Sequence, residues 1–435
     1  MDTSSRCVLF VTPVLPQDAR HQLQALLEAG LLDKVVCSLS YVGGGRIDSG
    51  LRWLDRMLGT KFIATTERRR LDEVPNGVVS SHIWPELWEH VRRRLHLSRR
   101  CPRTTDCYLR RVDQAAARYH GSEVKLVLAR EDCCLHTFRA ARARKARRIY
   151  DIPTTHYRRV RAIMEREEAA FPGASLPRLS EDEYSPARNQ RKDEELASAD
   201  HVLVPSRFVG DSIMAAGVPK ERITVIPFGC QPVEDISAAS NGGPRGQVFL
   251  AVGNLCLRKG THRLLRVWKR LGAHKTHTLR LVGSIELSAT FLGDYSGIFE
   301  HVPRLPRPEL ARHYATSLAY IMPAAAEGMA VVITEALSYG LPVIASENSG
   351  ATGFISHAQE GLLYPYDDED RLCECLERFL SGKVDIGGMR EAAYALAKRW
   401  TWRHYREGFV ALVRSRLADT SRQSERGAFR YSSSS

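Results

Sequence analysis

Short runs of apolar residues alternate along the chain with longer segments whose apolar residues recur at helical spacing. The short runs predict β-strands and the longer segments predict α-helices. The predicted strands cover residues 7–11, 34–40, 125–129, 148–153, 201–205, 223–227, 248–252, 279–282, 319–322 and 342–345. The predicted helices cover residues 18–28, 134–145, 161–171, 189–199, 208–216, 261–271, 310–315, 333–339 and 389–417. This alternation predicts an α/β fold with parallel sheets that carry helices on both faces.

One small, polar and glycine-rich segment, residues 237–246, interrupts the alternation and is typical of a linker. The sequence therefore predicts two doubly wound, Rossmann-like domains that face a central cleft. They cover residues 1–236 and 247–397, with a helix at 398–417 that packs back on the first domain. The polar tail, 418–435, is predicted to be disordered. Ligands of such sheets bind beyond the carboxyl ends of the strands.

The charge balance adds a basic surface to this picture. The chain has 63 Lys and Arg against 50 Asp and Glu, a net charge of +13, and the excess is concentrated at 92–94, 99–111 and 139–148. Such a surface suits an anionic membrane or a phosphorylated substrate, and solvated helix faces are the plain alternative. We do not expect a nucleic-acid partner, because no nucleic-acid motif accompanies these segments. No apolar run is long enough to span a membrane, and residues 1–12 are predicted to form the first strand rather than a signal peptide.

Metal and redox sites are not expected. The ten cysteines lack the paired CxxC spacing of a zinc or disulfide-exchange site, so buried free thiols in a reducing cytoplasm are the prediction. The acidic segment 367–370 resembles a metal-binding triplet, but it opens a predicted helix, where acidic residues suit the helix dipole. We therefore predict no required metal and no other cofactor.

The segment EGMAVVITEA at 327–336 carries the strongest chemical signal. It follows a strand, turns at Gly328 and enters a helix, whose first free N–H groups form an anion site at about residues 329–332. Glu327 precedes the helix and Glu335 lies about two turns into it, so the two carboxylates are predicted to flank a bound diphosphate. The alternative is a surface Glu and a helix Glu paired with basic neighbours.

A second signal follows the first strand of the second domain. The segment GNLCLRKG at 253–260 places Arg258 and Lys259 at a carboxyl end of the sheet. Two cations there neutralise a diphosphate leaving group without a metal. A solvated basic turn is the alternative.

Taken together, these motifs resemble the retaining glycosyltransferases of family 4, the large group 1 family with the GT-B fold. The match extends through SADHVLVPSRFV at 198–209, VIPFG at 225–229, LPVIASENSGATGFI at 341–355 and EGLLYPYDDED at 360–370. It covers nearly all of the second domain and the back half of the first. The resemblance implies transfer of a hexose-type sugar from a nucleoside-diphosphate sugar to a glycan, lipid-linked or small-molecule acceptor. It also implies a cytoplasmic enzyme of polysaccharide biosynthesis, and the basic charge of the first half suggests a peripheral position at the inner face of the membrane.

The resemblance implies roles for the residues of the donor site in the second domain. Glu327 holds hydroxyls of the donor sugar, Glu335 binds the ribose, and Lys259 with Arg258 neutralises the departing diphosphate. The backbone of a four-residue turn holds the diphosphate: Gly328, Met329, Ala330 and Val331. Gly253 also lines the donor site, and the segment 301–304, with Arg304, lines the base pocket.

The first domain supplies the acceptor side in this family, and its histidine candidate is His156, which follows a predicted strand. His156 is expected to contact the donor sugar or orient the reacting groups, with a simple strand-capping histidine as the alternative. Glu131 and Asp132 follow another strand and are weaker candidates for sugar contact, and Asp132 is equally suited to cap a helix.

Two departures from the family pattern keep other functions open. The loop 12–18 has no glycine, and Asn254 stands where many members have arginine. A non-catalytic nucleotide-binding scaffold and a nucleotide-sugar epimerase of the same fold are the alternatives. No carboxylate is placed as a nucleophile, so the resemblance suggests attack on the face that the leaving phosphate occupies.

Overall fold

The computed structural model describes residues 6–38, 40, 48–50, 52–53, 56, 70–71, 74–75, 77–82, 104–119, 121, 123–176, 185–240 and 246–431. The basic segment 92–94 and residues 99–103 of the basic segment 99–111 lie outside this part of the chain, as do residues 241–245 of the predicted linker.

The elements are numbered here in chain order. The strands are β1 (Val8–Val11), β2 (Leu32–Cys37), β3 (Val79–Ser81), β4 (Leu126–Arg130), β5 (Arg147–Asp151), β6 (His201–Val204), β7 (Ile223–Val225), β8 (Val248–Val252), β9 (Thr278–Val282), β10 (Glu300–Val302), β11 (Ala319–Met322), β12 (Val343–Ser346) and β13 (Gly361–Tyr364). The helices are α1 (Gln17–Glu28), α2 (Thr104–Ala117), α3 (Leu135–Ala143), α4 (Tyr157–Ala170), α5 (Pro186–Ser198), α6 (Arg207–Ala215), α7 (Ile236–Ser240), α8 (Thr261–Leu271), α9 (Ala289–Gly293), α10 (Arg307–Thr316), α11 (Val331–Ser338), α12 (Glu369–Leu380), α13 (Ile386–Arg399) and α14 (Trp402–Tyr431).

By its internal contacts the chain divides into two units. The first comprises Met1–Ile152, Leu179–Leu203 and Arg406–Ser435, and the second comprises Pro153–Arg178 and Val204–Tyr405. Each unit draws on separate stretches of sequence, whereas the sequence pattern predicts two continuous domains. The boundaries 1–236 and 247–397 stay a prediction.

The first unit is a parallel α/β sheet whose strands lie in the order β3-β2-β1-β4-β5-β6. Phe10 on β1 lies opposite Val35 on β2 and Leu128 on β4. Strands β1 and β4 are buried throughout, which is why they appear in the sequence as unbroken apolar runs. The order reverses between β1 and β4, because the chain adds strands first on one side of β1 and then on the other.

The second unit is a six-stranded sheet in the order β10-β9-β8-β11-β12-β13, and its described pairs are all parallel. Leu250 on β8 lies opposite Tyr320 on β11. The order reverses between these two strands, and the crevice at such a reversal is where doubly wound folds bind ligands. The predicted α/β fold with two Rossmann-like parallel sheets is confirmed.

Large apolar side chains fill the cores on the sheet faces. In the second unit the fully buried rings of Phe249 and Trp268 meet edge to face, with centroids 5.3 Å apart. The Trp268 indole N–H donates to Ile298 O at 3.0 Å, so its polar atom is satisfied. In the first unit Phe138 and Tyr150 meet in the same way at 6.0 Å.

The C-terminal helical segment differs from its prediction. The pattern predicts a helical stretch over 389–417, with a threonine near Trp400 and Trp402 that is suited to cap a new helix, and the structure has two helices there: α13 ends at Arg399 and α14 begins at Trp402. The chain breaks there because Thr401 pairs as a β-bridge with Cys230. The last helix then continues to Tyr431, through most of the segment predicted to be disordered, which contains no proline and only one glycine.

The predicted linker is partly helical, and the cysteines are not paired in the described ranges. Helix α7 (Ile236–Ser240) occupies the first half of the glycine-rich segment. Every cysteine in the described ranges is a free thiol. Within those ranges, none of the helices combines the length and the hydropathy that a bilayer-spanning segment requires.

Candidate functional site

Two loops of the second unit leave the sheet at the reversal of strand order. Residues 253–260 follow β8 and residues 323–330 follow the neighbouring β11. The backbone joins them, because the amides of Ala325 and Ala326 both donate to Arg258 O, at 3.0 and 3.2 Å. Gly260 has a φ of +70° and fits tightly, since a Cβ there would lie 1.7 Å from Pro323 O. The two loops therefore form one fixed surface at the carboxyl ends of β8 and β11.

Glu327 and two cations meet on this surface. Lys259 Nζ bonds to Glu327 Oε2, and Arg258 Nη1 lies 3.2 Å from the same oxygen. The side chains of Glu327 and Lys259 are only 14% and 17% exposed, so water screens their charges weakly. Burial by itself raises the pKa of Glu327, but Lys259 and Arg258 outweigh it and hold the pKa below its ordinary value. The group thus contains one carboxylate and two cations, which leaves one net positive charge.

The Gly328 turn is held from several sides. Thr155 Oγ1 donates to Glu327 O at 3.1 Å, and Ser206 Oγ donates to Gly328 O at 2.5 Å. A Cβ at Gly328 would lie 1.9 Å from Pro153 O, so no other residue fits there without movement. The glycine that the sequence placed at this turn is therefore required by close backbone packing.

The turn leads into α11, whose N-terminus has no side-chain cap. Its N-cap residue is Ala330, whose side chain has no atom that accepts a hydrogen bond, and the Ala330 amide donates to Ser349 O at 3.3 Å. Met329 is buried, and its Sδ accepts from the Phe228 amide. The amides of the first turn of α11, which begins at Val331, carry the positive end of the helix dipole toward the carboxyl edge of the sheet.

Glu335 lies on α11 with its own set of partners. Tyr314 Oη donates to Glu335 Oε2 at 2.9 Å, and Arg307 Nη2 lies 3.5 Å from Oε1. Burial raises the pKa of Glu335, while the Tyr314 bond and Arg307 oppose the shift. Burial raises the pKa of Tyr320, and the charges of Glu335 and Glu327 raise it further.

The remaining donor-site candidates lie on the adjoining strand ends. Gly253 has a φ of +136°, and its Cβ position meets open space. Asn254 Oδ1 accepts a hydrogen bond from Ser284 Oγ at 2.8 Å, which occupies the side chain that replaces the family arginine. His301 Nε2 lies 2.8 Å from Gly283 O, and Arg304 is exposed beyond the end of β10.

His156 begins α4 and lies next to the Glu327 turn through its neighbour Thr155. Its ring Nδ1 accepts from the Arg158 amide at 3.4 Å, and its own amide donates to Ser212 Oγ at 3.1 Å. The histidine therefore caps a helix rather than a strand, which is the alternative that the sequence offered, and it also lies on the segment that contacts Glu327. Capping α4 is compatible with a position beside the Glu327 turn.

Glu131 and Asp132 belong to an ion-pair cluster in the first unit. Asp132 Oδ2 lies 2.5 Å from Arg188 Nη2, and Lys192 Nζ lies 3.2 Å from Glu131 Oε1. Asp132 does not cap α3, because the N-cap residue is Cys134 and its amide donates to Glu195 Oε1 at 3.1 Å. The helix-cap alternative for Asp132 is wrong, since its carboxylate faces the cations of α5.

The acidic segment 367–370 has structural partners. Asp368 caps α12 by accepting the Arg371 amide at 2.9 Å, and Glu369 pairs with Arg263 and Arg266 of α8. No group of three or more metal-ligating side chains occurs in the described ranges.

The structure thus brings together Glu327, Lys259, Arg258 and the Gly328 turn, and it places Glu335 on the helix that leaves this turn. Sequence reasoning missed the residues that hold the group in place, among them Thr155, Ser206 and Tyr314. A threonine or serine gives no signal at the sequence level when its partner is a backbone carbonyl far along the chain.

Comparison with known proteins gives the class of the second unit. Residues 246–382 match the family model described as "Glycosyl transferases group 1". The matched segment contains the two loops, α11 and the helices around them. The finer assignment to family 4 stays a prediction.

Curated relatives support the same class. The chain is 25% identical over 274 residues to the amylovoran biosynthesis glycosyltransferase AmsK of Erwinia amylovora, covering 60% of this chain and 66% of that protein. It is 26% identical over 225 residues to the sulfoquinovosyl transferase SQD2 of Arabidopsis thaliana, covering 47% of this chain and 42% of that protein. The chain thus spans less than two thirds of the length of either relative.

Solved structures show the fold across nearly the whole chain. HepE from Anabaena, in complex with UDP, has a TM-score of 0.57 at 16% identity and covers 94% of this chain and 100% of HepE. Sucrose-phosphate synthase from Thermosynechococcus elongatus has a TM-score of 0.59 at 16% identity and covers 95% and 100%. Fold, family match and relatives together support an enzyme of the group 1 glycosyltransferase type.

Proposed function

We propose that this chain is a retaining glycosyltransferase that moves a hexose-type sugar from a nucleoside-diphosphate sugar to a hydroxyl acceptor. The observation that carries the proposal is the cationic group of Lys259 and Arg258 around Glu327, at the reversal of strand order in the second unit. Crevices at such reversals bind nucleotides in doubly wound folds. The family match over residues 246–382 covers the same two loops.

Charge explains why this group suits a diphosphate leaving group. Breaking the bond between the anomeric carbon and the phosphate oxygen places further negative charge on the diphosphate. One net positive charge from Lys259, Arg258 and Glu327, together with the N-terminus of α11, stabilises that charge as it develops. The weak exposure of Lys259 strengthens its effect, because little water screens it. This chemistry requires no metal.

Glu327 and Glu335 bind the uncharged hydroxyl groups of the donor. Glu327 precedes the turn and accepts hydrogen bonds from the sugar hydroxyls, while the backbone of the turn from Gly328 to Val331 lines the diphosphate, with the Ala330 amide already donating to Ser349 O. Glu335, further along α11, accepts from the ribose hydroxyls, and Tyr314 holds one of its oxygens in place. Gly253 and Arg304 line the remainder of the donor site. His156 orients the sugar or the attacking hydroxyl from the start of α4.

Retention follows if the acceptor attacks on the face that the phosphate leaves. The acceptor oxygen forms the new bond to the anomeric carbon, the bond to the phosphate oxygen breaks, and the acceptor proton passes to the phosphate. No covalent intermediate is required in this scheme, so no nucleophilic carboxylate is required either. Positioning and charge stabilisation then supply most of the rate acceleration.

The first donors to test are uridine compounds, because HepE is described in complexes with UDP and with UDP-glucose. AmsK, by its name, acts in the biosynthesis of a polysaccharide, amylovoran. We propose by analogy a glycan or lipid-linked acceptor and a place at the cytoplasmic face of a membrane. Exposed basic residues of the first unit, among them Arg110, Arg142 and Lys145, are suited to anionic lipids.

A thermal-shift panel of UDP-, GDP- and ADP-sugars tests the donor class. A bound donor raises the melting temperature by an amount set by its affinity and concentration, so one nucleotide series should shift it and the others should not. Product analysis with the stabilising donor then follows the anomeric configuration by NMR. An inverted product would contradict retention, and donor turnover without acceptor product would favour an epimerase.

Sedimentation with vesicles tests the membrane proposal separately. Binding should rise with the anionic lipid fraction and fall with salt. Sedimentation that is independent of anionic lipid would contradict it without bearing on sugar transfer.

A further inference from the structure

Glu167, on α4, forms a buried bonding centre that sequence analysis did not single out. Its side chain is 1% exposed. Its carboxylate lies 2.6 Å from His262 Nε2 and accepts from Arg263 Nε and Nη2, each at 2.8 Å. Burial by itself raises the pKa of Glu167, but the bonds from His262 and Arg263 outweigh it and lower the pKa to about 2. Glu167 is therefore ionised at neutral pH.

The partners of Glu167 lie directly after the cations of the proposed donor site. His262 and Arg263 occupy the first turn of α8, and only Gly260 and Thr261 separate them from Lys259. Gly260 fits against the end of β11 too closely for another residue. The loop between β8 and α8 therefore has little freedom, and a shift in the start of α8 displaces Lys259 and Arg258 with it.

Helix α4 touches the proposed donor site at its other end as well. Thr155, just before the helix, donates to Glu327 O, and Pro153 O packs on Gly328. Glu167 lies 11 residues beyond His156, which is about 16 Å along a helix. One rigid helix thus contacts the turn that carries Glu327 and the start of α8, which follows the loop that carries Lys259.

The contact between Arg263 and Glu167 fixes the relative orientation of the two side chains as well as contributing to stability. Its fork bonds both carboxylate oxygens of Glu167, and its guanidinium lies 5.2 Å from the Phe171 ring centroid. Buried ion pairs of this kind add little net stability over apolar replacements, and their best-supported use is to fix a unique arrangement.

We propose that Glu167 is a positioning residue, which sets the location of Lys259 and Arg258 through the first turn of α8. This inference rests on the proposed function, because it assigns Glu167 to the leaving-group cations of that site. The expected signature is a loss of affinity for the second phosphate of the leaving nucleotide, with little change in affinity for the nucleoside and first phosphate.

Titration calorimetry on the full chain tests this signature. The probes are the diphosphate and the monophosphate of uridine, guanosine or adenosine, whichever diphosphate stabilises the wild-type chain most. Glu167→Gln should raise the Kd of the diphosphate about tenfold, which corresponds to about 1.4 kcal/mol of binding free energy. The Kd of the monophosphate should stay within about twofold of the wild-type value. Glu360→Gln is the matched control, because Glu360 is a buried carboxylate of the same unit that bonds the Ser356 amide.

A double variant separates positioning from general destabilisation. Because Glu167 acts through Lys259 and Arg258 together, Glu167→Gln should cost less diphosphate preference in a Lys259→Ala background than in the wild-type chain, where both cations are present. Additive losses, equal losses for both probes, or an unchanged ratio in Glu167→Gln would overturn the inference. If Glu167→Gln does not fold, Arg263→Lys removes the fork and should give the same signature.

Lys259→Ala distinguishes this inference from the proposed function. If that variant keeps the wild-type preference for diphosphate, the donor site itself is misplaced and both proposals fail. If it loses the preference while Glu167→Gln and Arg263→Lys keep it, only the positioning role fails.

Discussion

Replacing Lys259 by alanine removes the ammonium group that bonds to Glu327 and faces the proposed leaving group. One charge pair at about 4 Å is worth about 4 kcal/mol at an effective dielectric constant of about 20. Because the Lys259 side chain is 17% exposed, some of this is screened, and we take about 3 kcal/mol as the loss of transition-state stabilisation. At about 1.4 kcal/mol per tenfold change in rate, kcat should fall about a hundredfold.

The variant should remain folded, because Arg258 stays 3.2 Å from Glu327 and the carboxylate keeps a cationic partner. We expect a loss of about 1 kcal/mol in the free energy of unfolding, or a melting temperature lower by about 2–4 °C. Steady-state kinetics with the stabilising donor, followed by release of the nucleoside diphosphate, measures kcat. The matched control is Lys269→Ala, because Lys269 lies on α8, the helix that follows the Lys259 loop, and its ammonium donates to Asp294 O. A Lys259→Ala enzyme with kcat within threefold of wild type would refute the assignment of this lysine to the leaving group.

Three further substitutions test other parts of the structure. Gly328→Ala places a Cβ 1.9 Å from Pro153 O, so the turn must move, and we expect turnover to fall at least a hundredfold with a measurably lower melting temperature. Tyr314→Phe removes the 2.9 Å bond to Glu335 and should raise the donor KM about tenfold with a smaller effect on kcat; an unchanged KM would separate Glu335 from donor binding. Burial raises the pKa of Asp151 to about 6 from an ordinary value of 3.8, so ionisation of the folded chain is unfavourable and stability falls as pH rises from about 4 to about 6. In urea unfolding across this range the decline should be about 3 kcal/mol smaller in Asp151→Asn than in the wild-type chain, and equal declines in both chains would contradict the shift.

The candidate site was largely visible in the sequence because its chemistry is carried by contiguous residues. Glu327, Gly328 and Glu335 lie within one ten-residue segment, and Arg258 and Lys259 lie within another. Each segment follows an apolar strand, and parallel strands bring their carboxyl ends to one edge of a sheet. The pattern therefore placed both segments at one edge, while the pairing of β8 with β11 decided that they are neighbours.

Other features were not visible because their partners are far apart in the chain. Thr155 bonds a carbonyl 172 residues away, and Glu167 bonds a histidine 95 residues away. The local sequence around Glu167 does not indicate its partners, since these depend on where α8 packs. The break between α13 and α14, which a threonine in the sequence already suggested, likewise involves a distant contact, the pairing of Thr401 with Cys230.

The sequence by itself determined the alternation of strands and helices, the glycine at the turn and the acidic and basic residues at the strand ends, because these depend on local periodicity and residue chemistry. Tertiary structure decided which carboxylate faces which cation, which side chains hold the turn and how the chain divides into two units. Those outcomes depend on contacts between distant segments, whose energies arise only when the sheets and helices have packed.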